Sequence, residues 1–172
     1  MNAKRIGLAA AISAIGLGGF VSSISASQPE STTLTLQQAP PHLANIDLPA
    51  EEEEMGDLML FDATFASEDG SKSGVLNGSL IVVDMPDTNT ENAPMLQSRL
   101  TNLVFVFDNQ DPIVINGSAV YPADSAAEMV ANTPQVRAIV GGTGEFIGAS
   151  GELSSTRNED GTYTHVLTLL ND

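Results

Sequence analysis

The amino-acid sequence predicts an all-β fold, an antiparallel eight-stranded β-barrel that is closed or nearly closed. Apolar and polar residues alternate with period two along several short segments, as they do in strands. Short turns rich in Gly, Asn and Asp separate these segments. Both faces of several segments are partly apolar, and closure into a barrel leaves no unpaired edge. With six Phe, two Tyr and no Trp, the interior has room for one small ligand.

The N-terminal 26 residues have the pattern of a secretory signal peptide. Lys4 and Arg5 precede an uncharged apolar run from Ile6 to Val21, and small residues around Ala26 supply a cleavage site whose position the sequence does not fix. We therefore expect a secreted or periplasmic protein without a membrane partner after cleavage. The chain has no cysteine, so no disulfide holds the fold together.

Acidic residues dominate the charge of the chain. Without the signal peptide, four cationic residues face 22 acidic ones, a net charge of −18. Such a surface repels nucleic acid and anionic membranes, which need Lys and Arg to neutralise phosphate. The run Glu51–Glu54 is typical of a solvated surface and lacks calcium-loop spacing. Solubility in a salty exterior is favoured over binding of divalent cations, and we expect no nucleic-acid partner and no specific metal.

Residues 27–55 are rich in Ser, Thr, Pro and Glu and are predicted to form a linker. Within this segment, Thr32 to Leu36 alternate like a short strand, which Pro40 and Pro41 end. The segment therefore either adds a first strand or remains a linker. The barrel domain is predicted over residues 56–172.

The strands of the barrel domain follow in order. Leu58 to Ala66 begins the series, with Met59, Phe61, Ala63 and Phe65 on one face. The later predicted strands are Val75 to Asp84, Arg99 to Phe107, Ile113 to Val120, Arg137 to Val140, Gly148 to Thr156 and Tyr163 to Leu170. Only Ser125 to Ala131 is predicted to be helical, for about two turns.

A glycine-rich stretch lies between two of these strands. Its signature glycines are Gly141, Gly142, Gly144 and Gly151. Glycine tolerates positive φ and close backbone approach, so this composition predicts a tight backbone crossing. The stretch lacks the Lys and Ser/Thr of a phosphate-binding loop and precedes a strand, which argues against a nucleotide site.

The order of these motifs resembles that of the allene oxide cyclase and dirigent barrel superfamily. The matching pieces are Gly56–Phe61, Lys72–Val83, Phe105–Phe107, Ile115–Ser118 and Ala138–Gly151. Together they span about residues 56 to 170, nearly all of the predicted barrel domain.

The resemblance implies a barrel, often trimeric, whose cavity takes a small hydrophobic or phenolic molecule. The implied function is cofactor-free, stereoselective cyclisation or isomerisation of that molecule. A non-catalytic dirigent-type or lipocalin-like carrier and a structural surface or matrix protein are the alternatives. Ser150 stands where dirigent proteins usually carry Arg, which weakens the expectation of phenoxy coupling. Ala63 stands where the cyclases carry an Asn that holds a water, which argues against strict allene oxide cyclase activity.

Five residues are candidates for lining the ligand cavity, and no catalytic residue is assigned. They are Phe61, Asn102, Phe105, Tyr121 and Phe146. Phe61 matches a cavity phenylalanine of the cyclases, with core packing as its alternative. Asn102 either bonds a ligand carbonyl inside the barrel or faces solvent. Tyr121 ends its strand before Pro122 and either turns its hydroxyl inward at the barrel mouth or leaves it in water.

Three titratable residues on or near these strands are of the types that act as general acids or bases. His165 is the one histidine of the predicted barrel domain, and histidine titrates near neutral pH. Because it has no recognisable partner in the sequence, a surface position on its strand is expected. Glu145 and Glu152 bracket the glycine-rich stretch and are expected to be solvated.

Overall fold

A computed structural model describes residues 30–46, 55–84, 96–123 and 128–171 of the chain. The predicted signal peptide and the run Glu51–Glu54 lie outside these residues. Within the described ranges, no helix is long and apolar enough to cross a membrane.

Nine strands and one short 3₁₀ helix make up the described structure. They are β1 (Ser31–Gln38), β2 (His42–Ile46), β3 (Leu58–Ser67), β4 (Ser73–Asp84), β5 (Leu96–Phe107), β6 (Pro112–Pro122), β7 (Gln135–Gly142), the 3₁₀ helix (Gly144–Phe146), β8 (Gly151–Arg157) and β9 (Tyr163–Leu170). All strand pairings are antiparallel between neighbours in the sheet. The all-β prediction is therefore confirmed.

The sheet closes on itself through β1. Along its whole length β1 pairs with β9, and its last three residues also pair with Phe65 to Ser67 of β3. β1 and β3–β9 thus form a closed eight-stranded barrel, as predicted. Of the two alternatives for residues 27–55, the structure therefore shows the strand: β1 closes the barrel.

Two prolines separate β1 from β2. Pro40 and Pro41 have no N–H to donate to a ladder, so pairing stops after Ala39, whose N–H still reaches the carbonyl of Thr64. The chain then resumes as β2, which pairs with Leu58 to Asp62 at the other end of β3. β1 and β2 therefore share one edge of β3, and β2 extends the wall at the end where β3 begins.

Side chains alternate between the interior and the outer face as the sequence predicts. On β3, Met59, Ala63 and Phe65 are buried, whereas Asp62 and Thr64 are exposed. This period-two pattern follows from the pleat of a strand, whose successive side chains point to opposite faces.

The glycine-rich stretch forms the connection from β7 to β8 across one end of the barrel. A Cβ on Gly142 would lie 2.6 Å from Cβ of Phe146 and 2.7 Å from the carbonyl oxygen of Pro112. Gly144 has a φ of +59° and lies against the side chain of Asp111. The backbone approach is therefore close, as expected, but the turn itself is exposed at Ile147, which is 80% accessible.

The predicted helix from Ser125 to Ala131 is not found in its described part. Residues 124–127 lie outside the described ranges, and residues 128–130 have no regular structure. Ala131 instead makes a parallel bridge to Arg157 of β8. Met129, just before it, is buried against the barrel interior, so tertiary contacts override the local helical preference.

The barrel interior divides into two halves along its axis. One half, called the apolar half, is a cluster of aliphatic and aromatic side chains: Leu36, Phe65, Leu76, Leu103, Phe105, Phe107, Ile113, Ile115, Ile139, Leu153 and Leu167. Its rings pack edge to face, with Phe65 centred 5.3 Å from Phe105 and 5.1 Å from Phe107. Phe146 of the 3₁₀ helix covers this half from the end, 5.0 Å from Phe107.

Candidate functional site

The second half of the interior, called the polar half, carries most of the buried polar side chains. They are Gln38 of β1, Gln97, Arg99 and Thr101 of β5, Arg137 of β7, Ser155 of β8 and His165 of β9. A smaller apolar cluster of Met59, Leu80, Val82, Ala119, Tyr121, Met129 and Tyr163 accompanies them. Because adjacent strands run antiparallel, the end of one strand meets the start of the next, and all these residues gather at one end of the barrel.

A cavity opens into the polar half. The space that the centre of a water-sized sphere can reach is about 40 Å³. All space free of protein atoms, including the part open to solvent, is about 420 Å³. The first value is room for a few water molecules. Apolar side chains from several strands line it, including Leu43, Phe61, Leu76, Leu80, Leu103 and Met129. The polar lining is Gln38, Tyr121, Arg137, Ser155, Tyr163 and His165.

Phe61 owes its place in the cavity wall to a glycine on the neighbouring strand. Phe61 pairs with Gly78 of β4, and a Cβ on Gly78 would collide with the Phe61 ring. The ring therefore lies over the β4 backbone. From there it contacts both the apolar cluster and the smaller cluster of the polar half. Phe61 thus forms the boundary between the two halves on this side of the barrel.

Two buried guanidinium groups flank Tyr121. Arg137 is 4% exposed, and its Nη2 donates to the Tyr121 hydroxyl at 3.1 Å. Arg99 is fully buried, with its guanidinium carbon 4.7 Å from the centre of the Tyr121 ring and Nη1 3.2 Å from the sulfur of Met59. Burial raises the pKa of Tyr121, although both guanidinium charges act to lower it. The phenol therefore remains protonated between two positive charges.

His165 lies at the centre of a hydrogen-bonded row that joins three strands. Its Nδ1 is 2.9 Å from the Ser155 hydroxyl, and its Nε2 is 2.7 Å from Oε1 of Gln38. The Gln38 amide nitrogen donates to the carbonyl of Ala39, so Oε1 must accept. This assigns the proton of His165 to Nε2, and the Ser155 hydroxyl donates to Nδ1.

Burial and charge keep His165 neutral. Desolvation, together with the nearby positive charge of Arg137, lowers the pKa of His165 to about 3. Desolvation also raises the pKa of Tyr163 to about 12, with a further contribution from Glu128. His165, Tyr121 and Tyr163 therefore do not change charge near neutral pH. The cavity offers fixed hydrogen-bonding groups and fixed positive charge rather than a titrating acid or base.

The structure brings together only two of the five predicted cavity residues. Phe61 and Tyr121 both line the cavity, and the Tyr121 hydroxyl points inward. Phe105 is fully buried in the apolar half, and Phe146 covers the far end of that half. Neither of these two belongs to the cavity lining.

Two further expectations are corrected by burial. Asn102 is exposed on the outer face of β5, since its neighbours Thr101 and Leu103 point inward. His165, expected at the surface, is only 2% exposed and lines the cavity. Its partners Gln38 and Ser155 belong to other strands, so the sequence around His165 does not reveal them. Glu145 and Glu152 are exposed, as expected.

Arg99 and Arg137 were not among the candidates predicted from the sequence, although their positions in the strand pattern indicate that they face inward. Arg99 has the same parity on β5 as the inward-facing Leu103 and Phe107, and Arg137 has the parity of Ile139 on β7. Extending the period-two pattern to these positions places both cations inside the barrel. The general preference of arginine for the surface conceals this signal.

Comparison with known proteins finds similarity in structure. No protein-family model and no curated protein matches the sequence. A solved structure of pyocyanin demethylase is 22% identical, covering 80% of this chain and 99% of that one, with a TM-score of 0.60. A pterocarpan synthase dirigent protein is 15% identical, covering 94% and 97% of the two chains, with a TM-score of 0.55. AbnU, an exo-specific intermolecular Diels-Alderase, is 9% identical, covering 84% and 100%, with a TM-score of 0.52.

These similarities confirm the predicted fold. The chain has the barrel architecture of these solved structures, and the structures carry different names: a demethylase, a dirigent protein and a Diels-Alderase. At these identities the comparison establishes the fold and does not select among those activities.

Proposed function

We propose that this protein binds a small, largely hydrophobic molecule in the cavity of its polar half and steers the cyclisation or isomerisation of that molecule without a cofactor. The observation that carries the proposal is the cavity itself, with an apolar wall around Phe61 and a few fixed polar groups. This combination is characteristic of small-molecule sites, in which apolar surface supplies affinity and a few polar groups fix orientation.

The electrostatics of the cavity favour catalysis by shape and positioning. His165 has its pKa lowered to about 3 and Tyr163 has its pKa raised to about 12, so neither exchanges a proton readily at neutral pH. Cyclisations that need a folded substrate geometry, rather than proton transfer, gain most from a preshaped cavity. A similar barrel among the structural neighbours is an intermolecular Diels-Alderase, whose reaction likewise depends on how the reacting parts are positioned.

A non-catalytic carrier is the second candidate, and the same observation favours it. A cavity without a titrating group also suits a protein that only holds its ligand or an unstable intermediate. Turnover separates the two functions, because a carrier binds one equivalent of ligand and returns it unchanged, whereas an enzyme releases a rearranged product.

The test begins with protein purified from its own source under native conditions. Native mass spectrometry measures whether a ligand is bound, and extraction followed by mass analysis identifies it. A bound unsaturated or polycyclic molecule supports the proposal and supplies the compound for turnover assays. An empty protein that also fails to bind a panel of fatty acids and phenolic compounds contradicts it and favours a structural surface or matrix protein.

Phe61→Ala provides the matched variant for this test. Because Phe61 forms the cavity wall at the boundary of the two halves, its removal should weaken ligand binding while the barrel still folds. Phe146→Ala is the control, since Phe146 lies at the far end and outside the cavity lining. Equal ligand affinity in wild type and Phe61→Ala would remove Phe61 from the site.

Export and self-association belong to the same proposal. The N-terminal pattern of residues 1–26 supports secretion or periplasmic location, and the resemblance to the barrel superfamily supports a homotrimer. N-terminal sequencing of the exported protein and sedimentation analysis of its mass test these two points separately.

A further inference from the structure

We infer that the ligand of the polar half carries an anionic oxygen, of the carboxylate type, at one end of an apolar body, and that Arg137 and the Tyr121 hydroxyl bind this oxygen. The inference rests on the proposed function, because it specifies the chemical class of molecule that enters the same cavity. Two observations on Arg137, one on Tyr121 and the apolar lining of the cavity support it.

The first observation is a buried guanidinium with unused donors. Arg137 is 4% exposed and lines the cavity. Its Nε and Nη1 are buried and have no hydrogen-bond partner among the described residues. A buried polar group without a partner is costly, and a buried charge without one is costlier still, so such groups in native proteins generally await a ligand or bound water. The cavity beside Arg137 is the place from which that partner can come.

The second observation is the absence of a protein carboxylate for Arg137. Among the described residues, ion pairs join His42 to Asp62, Lys72 to Glu145 and Arg157 to Glu128, and none of these pairs includes Arg137. The interactions found for Arg137 are those of Nη2 with the Tyr121 hydroxyl and, at 3.9 Å, with the sulfur of Met129. Both partners are uncharged, so the positive charge of Arg137 is not neutralised by any described side chain.

The third observation is the direction of the hydrogen bond to Tyr121. The phenol oxygen accepts from Arg137, and among the described residues the phenol donates to no other group. Its O–H is therefore available beside the guanidinium. Two donors from adjacent strands, one of them charged, form a preorganised oxyanion-binding pair of the kind that stabilises negative charge in a dry site.

The apolar lining of the cavity determines what the rest of the ligand must be. Phe61, Leu80 and Leu103 face the cavity and offer only apolar surface. A planar carboxylate matches the edge of a guanidinium, whereas a multiply charged phosphate would leave charge unpaired, because Arg137 lines the cavity and Arg99 does not. The geometry therefore fits an apolar acid, with its anionic end at Arg137 and its body against the aromatic wall.

The test compares matched acids and amides as probes on the full-length exported protein. Isothermal titration with trans-cinnamate and cinnamamide, and with decanoate and decanamide, varies the charge while the apolar body stays the same. We expect each acid to bind at least roughly tenfold more tightly than its amide, the ratio expected for one charge-assisted contact of about 1.4 kcal/mol.

Three variants assign this preference to individual groups. Arg137→Met should abolish the preference for the acids, because it removes a charge-assisted contact from each acid and only a neutral hydrogen bond from each amide. Tyr121→Phe keeps the ring over Arg99 but removes the hydroxyl, and it should lower acid affinity several-fold. Lys72→Met removes a cation at the far end of the barrel and should leave all four affinities as in wild type.

The outcomes separate this inference from the proposed function. Equal affinity of wild type for acid and amide overturns the inference while the proposed binding of hydrophobic molecules stands. Failure of all four probes to bind contradicts both. If Arg137→Met does not fold, the test uses the preference of wild type for acid over amide and the effect of Tyr121→Phe on it. A preference that Tyr121→Phe leaves unchanged also overturns the assignment to Arg137 and Tyr121.

Discussion

The two halves of the barrel interior are built from the same strands but have opposite chemistry. The inward-facing residues of β5 show the change along one strand. Arg99 and Thr101, near its start, belong to the polar half, and Leu103, Phe105 and Phe107, toward its end, belong to the apolar half. The apolar half is filled by interlocking rings and aliphatic side chains. The polar half holds buried guanidinium, imidazole and amide groups around a cavity.

This difference assigns stability and function to separate ends of the molecule. Burial of apolar side chains stabilises a fold, whereas burial of polar and charged groups is at best neutral. Arg137, buried without a described counter-ion, therefore lowers stability at this end, and sites that break the rules of folding in this way are generally functional.

The largest effect is expected in the apolar half. Phe105 is fully buried between Phe65 and His165, and Phe105→Ala removes these contacts and leaves a void. The free energy of unfolding should fall by about 3–5 kcal/mol. Chemical denaturation of the variant beside Phe61→Ala measures this. A larger loss for Phe61→Ala than for Phe105→Ala would contradict the division.

The next effect concerns pH and the polar half. His165 has a folded-state pKa of about 3, below the ordinary value near 6.5, so between these values only the unfolded chain takes up the proton. The free energy of unfolding should therefore fall as pH decreases below about 6.5, by up to about 1.4 kcal/mol per pH unit from this residue alone.

His165→Gln isolates this contribution. The amide retains hydrogen-bonding groups for Ser155 and Gln38 but does not titrate, so its unfolding free energy should depend less on pH than that of wild type between pH 4 and 6. His42→Gln, at an exposed position, is the control and should retain the wild-type slope. Identical slopes for His165→Gln and wild type would show that His165 titrates normally.

A smaller effect of opposite sign is expected at Arg137. Since its charge has no described counter-ion and two of its nitrogens have no described partner, replacement by the apolar Met should leave the free energy of unfolding unchanged or raise it by roughly 1 kcal/mol. Thermal unfolding without ligand measures this. A drop of several kcal/mol would mean that Arg137 stabilises the barrel rather than serving a ligand.

The smallest effect is expected at the surface of the apolar end. Lys72 and Glu145 are partly exposed and lie 2.6 Å apart, and the hydrogen bond from Lys72 lowers the pKa of Glu145. Exposed pairs contribute little, so Glu145→Gln should reduce the free energy of unfolding only slightly. Glu68→Gln, at an exposed turn, serves as the matched control, and a clearly larger loss at Glu145 would show a structural role for the pair.

Much of the fold could be predicted from the sequence because strands carry a local signal. The alternation over Leu58–Ser67 and Leu96–Phe107 is visible without any knowledge of partners, and it placed Phe61 on the inner face. Closure followed from the number of strands and from their partly apolar faces. For Tyr121 the sequence left two positions of the hydroxyl open, and the hydrogen bond from Arg137 decides for the inward one.

The polar half was harder to predict because its contacts depend on register between distant strands. Gln38 and His165 are 127 residues apart and meet only because β1 pairs with β9. A lone histidine on a strand gives no sign of such a partner. Asn102 differs from His165 in the other direction. It was a candidate for the cavity because its amide suits a ligand, but the alternation along β5 places it on the outer face.

One measurement tests the division between the halves most directly. Titration of isotope-labelled protein with trans-cinnamate, followed by amide and methyl NMR shifts, maps where a small apolar acid binds. The account predicts shifts concentrated at Tyr121, Arg137 and His165, with little change at Phe107 and Ile113 of the apolar half. Shifts confined to the outer face or to the end covered by Phe146 would contradict the central claim that the polar half is the ligand site.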